Sequence, residues 1–244
     1  MDRLVDDMPS WEHVTDETVQ RWSVPGQAAK QDRSRRRQQE ILDAAVIVFA
    51  RDGIARARIA DIATQAAVPL SSVYDYYASK EDLAYALPAT RMGAFYAEFL
   101  DRARQVHTAR ERLRLYMWLT ADFARRNPEW ARVLYLEIWP SIAIKDVSVR
   151  RSIDDFARIL IALIRDGELE GEWRTKHDPY QSAAIFIGSV NQLLITWLLY
   201  RRPRDLLGAV SDLIERLQPL LEPIPPIKPR GKRPRVSVVH GSGA

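Results

Sequence analysis

Residues 58–83 read RIADIATQAAVPLSSVYDYYASKEDL, and this stretch decides the fold. Apolar residues recur three and four positions apart in its first part, which predicts a short helix over 58–65. A tight turn at 66–69 ends in proline and leads into a second short helix, predicted over 70–76. Two short helices joined in this way form a helix-turn-helix, whose second helix can lie in the major groove of DNA.

The second short helix carries side chains suited to a DNA surface. Small or planar polar groups let the backbone and the bases approach closely and can bind phosphates or base edges. Side chains of this kind are Ser71, Ser72, Tyr74 and Tyr76. Val73 and Tyr77 are expected to face inward. A plain alternative stays open at this point, because any all-α protein can contain two short helices with a tight turn.

The same segment resembles the TetR family of bacterial transcriptional regulators over about 50 residues. The matching residues are Ile59, Asp61-Ile62-Ala63, Ala66, Val68, Ser72, Tyr74, Tyr76-Tyr77 and Ser79-Lys80-Glu81-Asp82-Leu83. Upstream matches to the family's first helix and its glycine terminator are Ile41-Leu42-Asp43-Ala44-Ala45, Phe49 and Asp52-Gly53. The resemblance implies a DNA-binding regulator, in the typical case a repressor, that binds a palindromic operator as a dimer.

Three positions depart from the family pattern. The threonine that caps the first short helix is Arg58 here, which removes a cap worth about 1 kcal/mol and offers a phosphate contact. The turn glycine is Ala67, so the turn must avoid a positive φ or tolerate strain. The serine before the second helix is Pro69, which cannot cap through a side chain.

The resemblance assigns roles to individual residues. It makes Tyr74 and Lys80 the phosphate anchors, and it makes Ser71, Ser72 and Tyr76, together with Leu70, the candidates for base contacts. The basic run Arg35, Arg36 and Arg37 is interpreted as an arm that follows phosphates or enters a minor groove. The alternative for this run is a solvated helix N-terminus, where three arginines would oppose the helix dipole.

Outside this segment the periodicity predicts an all-α chain of about nine helices. They are placed at 34–51, 58–65, 70–76, 80–105, 109–126, 128–139, 148–166, 179–200 and 204–220. Pro88 should kink or split the fourth, and Gly167 should end the seventh as a C-terminal glycine. The predicted domains are a disordered arm over 1–32, the DNA-binding domain over 33–83, a ligand-binding and dimerisation domain over 84–222, and a disordered basic tail over 223–244.

Composition excludes several classes of function. The chain has 244 residues and no cysteine, which rules out thiolate catalysis and cysteine-bound metal clusters. Its four histidines are too far apart to suggest a helical metal pair, so no metal and no cofactor are expected. The net charge of +4 comes from the tail, which holds five basic residues and no acidic one. No signal peptide and no apolar run long enough to span a membrane are recognised, which predicts a cytoplasmic protein.

The helical body after Leu83 holds five of the seven tryptophans and is the candidate ligand domain. From Gly167 to Leu207 it resembles the branch of fatty-acid-metabolism repressors that respond to acyl-CoA. That resemblance implies a small hydrophobic effector, with an acyl-CoA as leading candidate. The residues predicted to line its site are Trp118, Phe123, Leu134, Phe156, Leu160 and Phe186, with Arg150 and Arg151 for the phosphates. Plain core packing of these aromatic residues is the alternative.

Helices 179–200 and 204–220 are too apolar for one subunit to cover, so they are predicted to form a homodimer interface. Two other classes of function are considered. An all-α enzyme would need a catalytic constellation, and the sequence offers no phosphate-binding glycine loop, nucleophile elbow or metal set, leaving only isolated carboxylates such as Glu137. A ligand-binding dimer without operator binding is supported only by the altered turn.

Overall fold

The structure is a computed structural model that describes residues 8–22, 29–141, 146–174 and 177–222. In these ranges the chain is helical and contains no β-strand. The predicted disordered tail over 223–244 lies outside them. In chain order the α-helices are α1 (Trp11–Trp22), α2 (Ala29–Asp52), α3 (Ile59–Gln65), α4 (Leu70–Tyr74), α5 (Lys80–Ala86), α6 (Ala89–Ala103), α7 (Ala109–Arg126), α8 (Pro128–Val133), α9 (Val147–Leu169), α10 (Pro179–Tyr200) and α11 (Leu206–Leu217). Two shorter elements are a π-helix at Leu134–Ile138 and a 3₁₀ helix at Gln218–Leu221.

Helix α1 corrects the prediction of a disordered arm over 1–32. Trp11, Val14, Thr15 and Thr18 are all buried, because they lie three or four residues apart and share one face of the helix. The two threonines can be buried because their hydroxyls donate to the carbonyls of Trp11 and Val14, one turn back. This face packs on α6 and α9, so at least this part of the arm is ordered and covers the body.

Two buried carboxylates of α9 hold α1 at its ends. Asp166 accepts a hydrogen bond from the backbone N–H of Trp11 at 2.8 Å. Asp155, only 2% exposed, accepts from the guanidinium of Arg21 and, at 2.9 Å, from the indole Nε1 of Trp22. Polar groups buried in this way stabilise a contact only while each keeps its partner. Both ends of α1 are therefore attached to the body.

The turn between α3 and α4 is a Schellman motif. The N–H of Ala67 donates to the carbonyl of Thr64 at 3.1 Å, and the N–H of Val68 donates to the carbonyl of Ala63 at 3.0 Å. This motif requires a left-handed residue, and Ala67 has φ +54°. The altered turn thus keeps the conformation that a glycine would favour and accepts the strain of a Cβ there. Val73 and Tyr77 are buried, as predicted.

Pro88 splits the predicted helix 80–105, as expected. Helix α5 ends at Ala86 and α6 begins at Ala89, because proline has no N–H to continue the ladder. The predicted helix 128–139 differs in a way that the sequence did not indicate. After Val133 the chain widens into the π-helix, where the N–H of Trp139 donates to the carbonyl of Leu134 at 3.0 Å. A π-turn brings residues five apart onto one face.

Gly167 does not end α9, which corrects the prediction. The helix continues to Leu169, and the left-handed glycine that follows it is Gly171, with φ +77°. Gly167 is required for another reason, since a Cβ there would lie 2.0 Å from the ring of Trp173. That indole is buried and donates to the carbonyl of Ile164 at 2.8 Å. Close packing of a tryptophan on the helix therefore selects this glycine.

Helix α10 is apolar, as predicted for 179–200, and it qualifies as a candidate membrane span although no such span was recognised in the sequence. By length and composition it could cross a membrane, with a mean hydropathy of 1.6 over 18 residues, although polar residues interrupt every apolar run. One third of that window is buried. A helix at the centre of a bundle or a subunit interface has the same character, so this property alone does not indicate a membrane span.

The attachment of α1 predicts a difference between two aspartates. Asp155→Ala should lower the free energy of unfolding by about 1–3 kcal/mol, because it removes the buried acceptor of the half-buried Trp22 indole N–H and of the Arg21 guanidinium. Asp43→Ala is the matched control: its ion pair with Arg91 at 3.4 Å is nearly half exposed, so its loss should cost about 0–1 kcal/mol. Urea unfolding at one protein concentration measures both, and equal losses would show that Asp155 does not anchor α1.

The strained turn predicts opposite signs for neighbouring alanines. Ala67→Gly should stabilise the protein by about 0.5–1 kcal/mol, since relief of the left-handed strain exceeds the added chain entropy. Ala66→Gly should destabilise it by a similar amount, because Ala66 is right-handed with φ −80°. Thermal unfolding of the two variants beside the wild type tests this, and a destabilising Ala67→Gly would contradict it.

Candidate nucleic-acid interface and effector cavity

Helix α4 presents its polar side chains to solvent. Ser71 is exposed, Ser72 is half-buried, and Leu70 and Tyr74 are 44% and 52% exposed. Val73 anchors the opposite face in the core. The first short helix, α3, begins at Ile59, and its N-cap residue Arg58 makes no side-chain cap, as the sequence predicted. The predicted DNA-contacting side chains of α4 thus lie on one accessible surface, behind which an apolar face fixes the helix.

The arginine run is connected to the end of α4 through Ser34. The hydroxyl groups of Ser34 and Tyr76 share a hydrogen bond of 3.0 Å, which leaves Tyr76 half-buried. Helix α2 begins at Ala29, so the run at 35–37 lies well inside it. This corrects the alternative of a helix N-terminus, because dipole effects fall off after the first turn. Arg36 and Arg37 are exposed, and Arg35 is half-buried.

Lys80 holds the loop between α2 and α3. Its Nζ donates to the carbonyls of Ala55 and Ala57, at 3.0 and 3.3 Å. An ammonium has three donors, so a phosphate contact remains compatible with this arrangement but is not its only role. Ser79 caps the same helix by accepting from the N–H of Asp82 at 3.0 Å. The predicted phosphate anchor is thus also a structural residue of the DNA-binding part.

Glu137, on the helical body, also contacts the loop between α2 and α3. Its carboxylate accepts a hydrogen bond from the N–H of Ile54 at 3.3 Å and lies 3.4 Å from where a Cβ on Gly53 would be. Because Glu137 belongs to the π-helix, the body contacts the DNA-binding part directly here. This contact gives the carboxylate a structural role, whereas the enzyme alternative had considered it for acid–base chemistry.

The body contains a small apolar cavity beside the π-helix. Its volume is about 20 Å³, close to the room for one water molecule. Its lining comes from α6, α7, α8, the π-helix and α9, and consists of Met92, Phe95, Thr120, Phe123, Ala124, Trp130, Leu134, Tyr135, Trp139 and Phe156. Burial raises the pKa of the Tyr135 phenol, so its hydroxyl is neutral. An elongated ligand can enter only if these walls move apart.

The structure brings together three of the predicted ligand residues: Phe123, Leu134 and Phe156. Trp118 does not line the cavity, because it lies two residues from Thr120 and so on the opposite side of α7, where Arg102 stacks on it at 5.4 Å. Leu160 and Phe186 are buried in the core outside the cavity lining.

The predicted phosphate ligands, Arg150 and Arg151, are exposed in the first turn of α9. Arg150 lies six residues before Phe156, which is about 9 Å along the helix axis. The basic pair is therefore on the same helix as one cavity wall, but it does not line the cavity.

Sequence analysis missed more of the cavity than it found. Met92 and Phe95 lie three residues apart just after Pro88, a spacing that could have been used. Trp130 and Leu134 are one α-turn apart, but Trp139 joins them only because the π-turn shifts the register by one residue. No pattern in the sequence indicated that shift.

One wall residue connects the cavity to the helix break. The indole Nε1 of Trp130 donates to the carbonyl of Leu87 at 3.1 Å, immediately before Pro88. On the far side of the break, Met92 and Phe95 of α6 line the cavity. Movement of Trp130 or of α6 would therefore change the geometry of the break at Pro88. Helix α5, on the other side of the break, belongs to the DNA-binding part.

Metal ligands are not assembled in the part of the chain that the structure describes. In those ranges no group of three or more His, Asp or Glu side chains is placed to hold an ion. The chemistry of this region is therefore described by hydrogen bonds, apolar contact and charge.

Comparison with known proteins agrees with this geometry. Residues 41–87 match the family model described as bacterial regulatory proteins, tetR family, which spans α3, α4 and α5. The fatty acid metabolism regulator protein of Bacillus subtilis (strain 168) is 25% identical over 178 residues, covering 73% of this chain and 92% of that protein.

Two solved structures extend the likeness to the body. The transcriptional regulator FadR from Bacillus subtilis, in complex with stearoyl-CoA, has a TM-score of 0.67 at 25% identity, covering 75% of this chain and 96% of that one. The fatty acid degradation regulator FadR from Bacillus halodurans has a TM-score of 0.68 at 22% identity, covering 73% and 96%. The helix-turn-helix of this chain therefore matches the tetR family of bacterial regulatory proteins over residues 41–87, and its helical body is similar in fold to the two FadR structures.

Proposed function

We propose that this protein is a cytoplasmic, dimeric repressor that binds a palindromic operator and releases it when an acyl-CoA occupies the body. The observation that carries the proposal is the helix-turn-helix of residues 41–87, with the polar face of α4 accessible and its apolar face fixed. A protein built in this way places a recognition helix in the major groove. The division into a DNA-binding domain over 33–83 and a ligand-binding domain over 84–222 is part of this proposal.

We assign each predicted DNA-binding residue to phosphate contact or to base contact. Tyr74 and Lys80, with Arg35, Arg36, Arg37 and Arg58, would bind phosphates, and Leu70, Ser71, Ser72 and Tyr76 would face bases. The phosphate contacts supply affinity that depends on salt, and the base contacts supply sequence preference. Tyr76 already shares a hydrogen bond with Ser34, so its base contact would require that hydroxyl to accept a second partner or to turn.

The dimer would form through α10 and α11. Large apolar side chains are exposed on α10, namely Tyr180, Ile185, Leu199 and Tyr200. Exposed apolar side chains on neighbouring helices indicate a protein–protein interface, and two recognition helices related by a two-fold axis suit a palindrome. Burial of α10 in such a dimer interface would also account for its high mean hydropathy.

The effector is proposed from the lining of the cavity and from the likeness to the FadR structure that holds stearoyl-CoA. An acyl chain would replace apolar contacts among α6, α8 and the π-helix, with Arg150 and Arg151 near the phosphates. Since the cavity holds only about one water molecule, binding must separate these walls. The shift would reach the DNA-binding part through the Trp130–Leu87 hydrogen bond and through Glu137 at Ile54.

The DNA-binding role predicts a uniform loss for Tyr74→Phe. Removing a hydroxyl that binds phosphate should weaken the operator and a scrambled duplex alike, by about tenfold, because phosphate contacts carry no sequence information. Ser72→Ala should instead change the ratio between the two duplexes. Fluorescence anisotropy at several salt concentrations measures this, and Gln105→Ala, at an exposed residue just after α6, is the control that should change neither affinity. A loss on the operator alone would reassign Tyr74 to base contact.

The effector role predicts that long-chain acyl-CoA lowers operator affinity by about 5–150-fold, the range of coupling energies near 1–3 kcal/mol. The measurement is a titration of acyl-CoAs of increasing chain length into the protein–operator complex, with free CoA as the control that should leave affinity unchanged. If no acyl-CoA changes operator affinity, the acyl-CoA assignment is wrong and only a general ligand sensor remains.

A further inference from the structure

The indole N–H of Trp139 is a buried donor without an acceptor. Trp139 lines the cavity directly after the π-helix, and its Nε1 has no hydrogen-bond partner among the described residues. A buried donor left unpaired is costly, and most such groups in proteins find a partner. The other indole in the lining differs, because Trp130 donates to the carbonyl of Leu87.

The surroundings of this N–H restrict what can accept from it. None of the described residues that line the cavity carries a formal charge. The hydroxyl of Thr120 donates its proton to the carbonyl of Tyr116 at 2.8 Å, so it offers no second donor to a ligand carboxylate. A carboxylate placed here would lack a cation, and burying an unpaired charge is far more costly than burying a neutral carbonyl. The site therefore suits a neutral acceptor attached to an apolar chain.

Trp139 lies where the neutral acceptor at the end of an apolar chain would be placed. Its ring packs edge-to-face on Tyr135 with centroids 4.7 Å apart, and the residue as a whole is only partly buried. It therefore lies between the apolar interior and the surface. In an acyl thioester the carbonyl lies at the same kind of boundary, between the apolar chain and the polar remainder.

We propose that Trp139 Nε1–H donates a hydrogen bond to the thioester carbonyl of the effector and selects acyl thioesters over free fatty acids. The inference rests on the proposed effector and assigns a specificity-determining residue within it. Apolar contact would supply the affinity for the chain, and this single donor would distinguish the carbonyl, because a site that has a donor to satisfy disfavours a ligand without the acceptor.

The test compares three ligands of equal chain length: an acyl-CoA, its S-alkyl thioether, which lacks the carbonyl, and the free fatty acid. Isothermal titration calorimetry avoids relying on tryptophan fluorescence. The wild type should bind the acyl-CoA about fivefold to tenfold more tightly than the thioether. Trp139→Phe should abolish the preference for the acyl-CoA over the thioether, because it removes the donor, whereas the loss of ring contact affects both ligands alike. Trp118→Phe, outside the cavity, should behave as the wild type.

Several results would overturn the inference. Equal affinity of the wild type for acyl-CoA and thioether would do so without any variant, and it would leave the proposed effector intact. Equal losses for both ligands in Trp139→Phe would reduce Trp139 to a packing role. Tighter binding of the free fatty acid would contradict the neutral-acceptor requirement. If neither CoA ligand binds the wild type, the proposed effector fails and this inference fails with it.

Discussion

The hydrogen bond from Trp130 to the carbonyl of Leu87 lies where the helix between the DNA-binding part and the helical body is interrupted. Pro88 cannot donate an N–H, so the helix that would otherwise run from Lys80 to Ala103 is interrupted there. The Leu87 carbonyl also accepts from the Thr90 hydroxyl at 2.7 Å, so side chains of α6 and α8 both bind the backbone at the break. Because Trp130 is also a cavity wall, the geometry of the break depends on the packing of the cavity.

A second connection between the body and the DNA-binding part lies at the loop between α2 and α3. The loop between α2 and α3 is held by Lys80 from within the DNA-binding part and by Glu137 from the body. Glu137 lies in the π-helix between two cavity-lining residues, Tyr135 and Trp139, so one turn of backbone contacts both the loop and the cavity. A π-turn is an irregular element that proteins often retain at functional sites. Here it places the loop contact and the cavity wall on one short segment.

The sequence predicted the helix-turn-helix well because its signals are local. The apolar spacing of α3 and the inward Val73 and Tyr77 depend on residues within one or two turns. Helix α1 was missed although its spacing is helical, because Thr15 and Thr18 read as polar while their hydroxyls are satisfied by the backbone. Gly167 was misread because its reason is a tryptophan ring packed on it. Only three of the ten cavity-lining residues were predicted, since no local pattern indicates the π-turn that brings Trp139 onto the cavity.

The small volume of the cavity sets an energetic condition on any effector that binds there. An effector that opens the cavity must supply the free energy of separating its walls, and only the difference between its affinities for the two states can move the DNA-binding part. Linkage then requires the operator to weaken effector binding by the same factor as the effector weakens operator binding. A cavity that bound the effector equally well in both states would leave the affinity for the operator unchanged, so the coupling depends on how far the cavity walls differ between the two states.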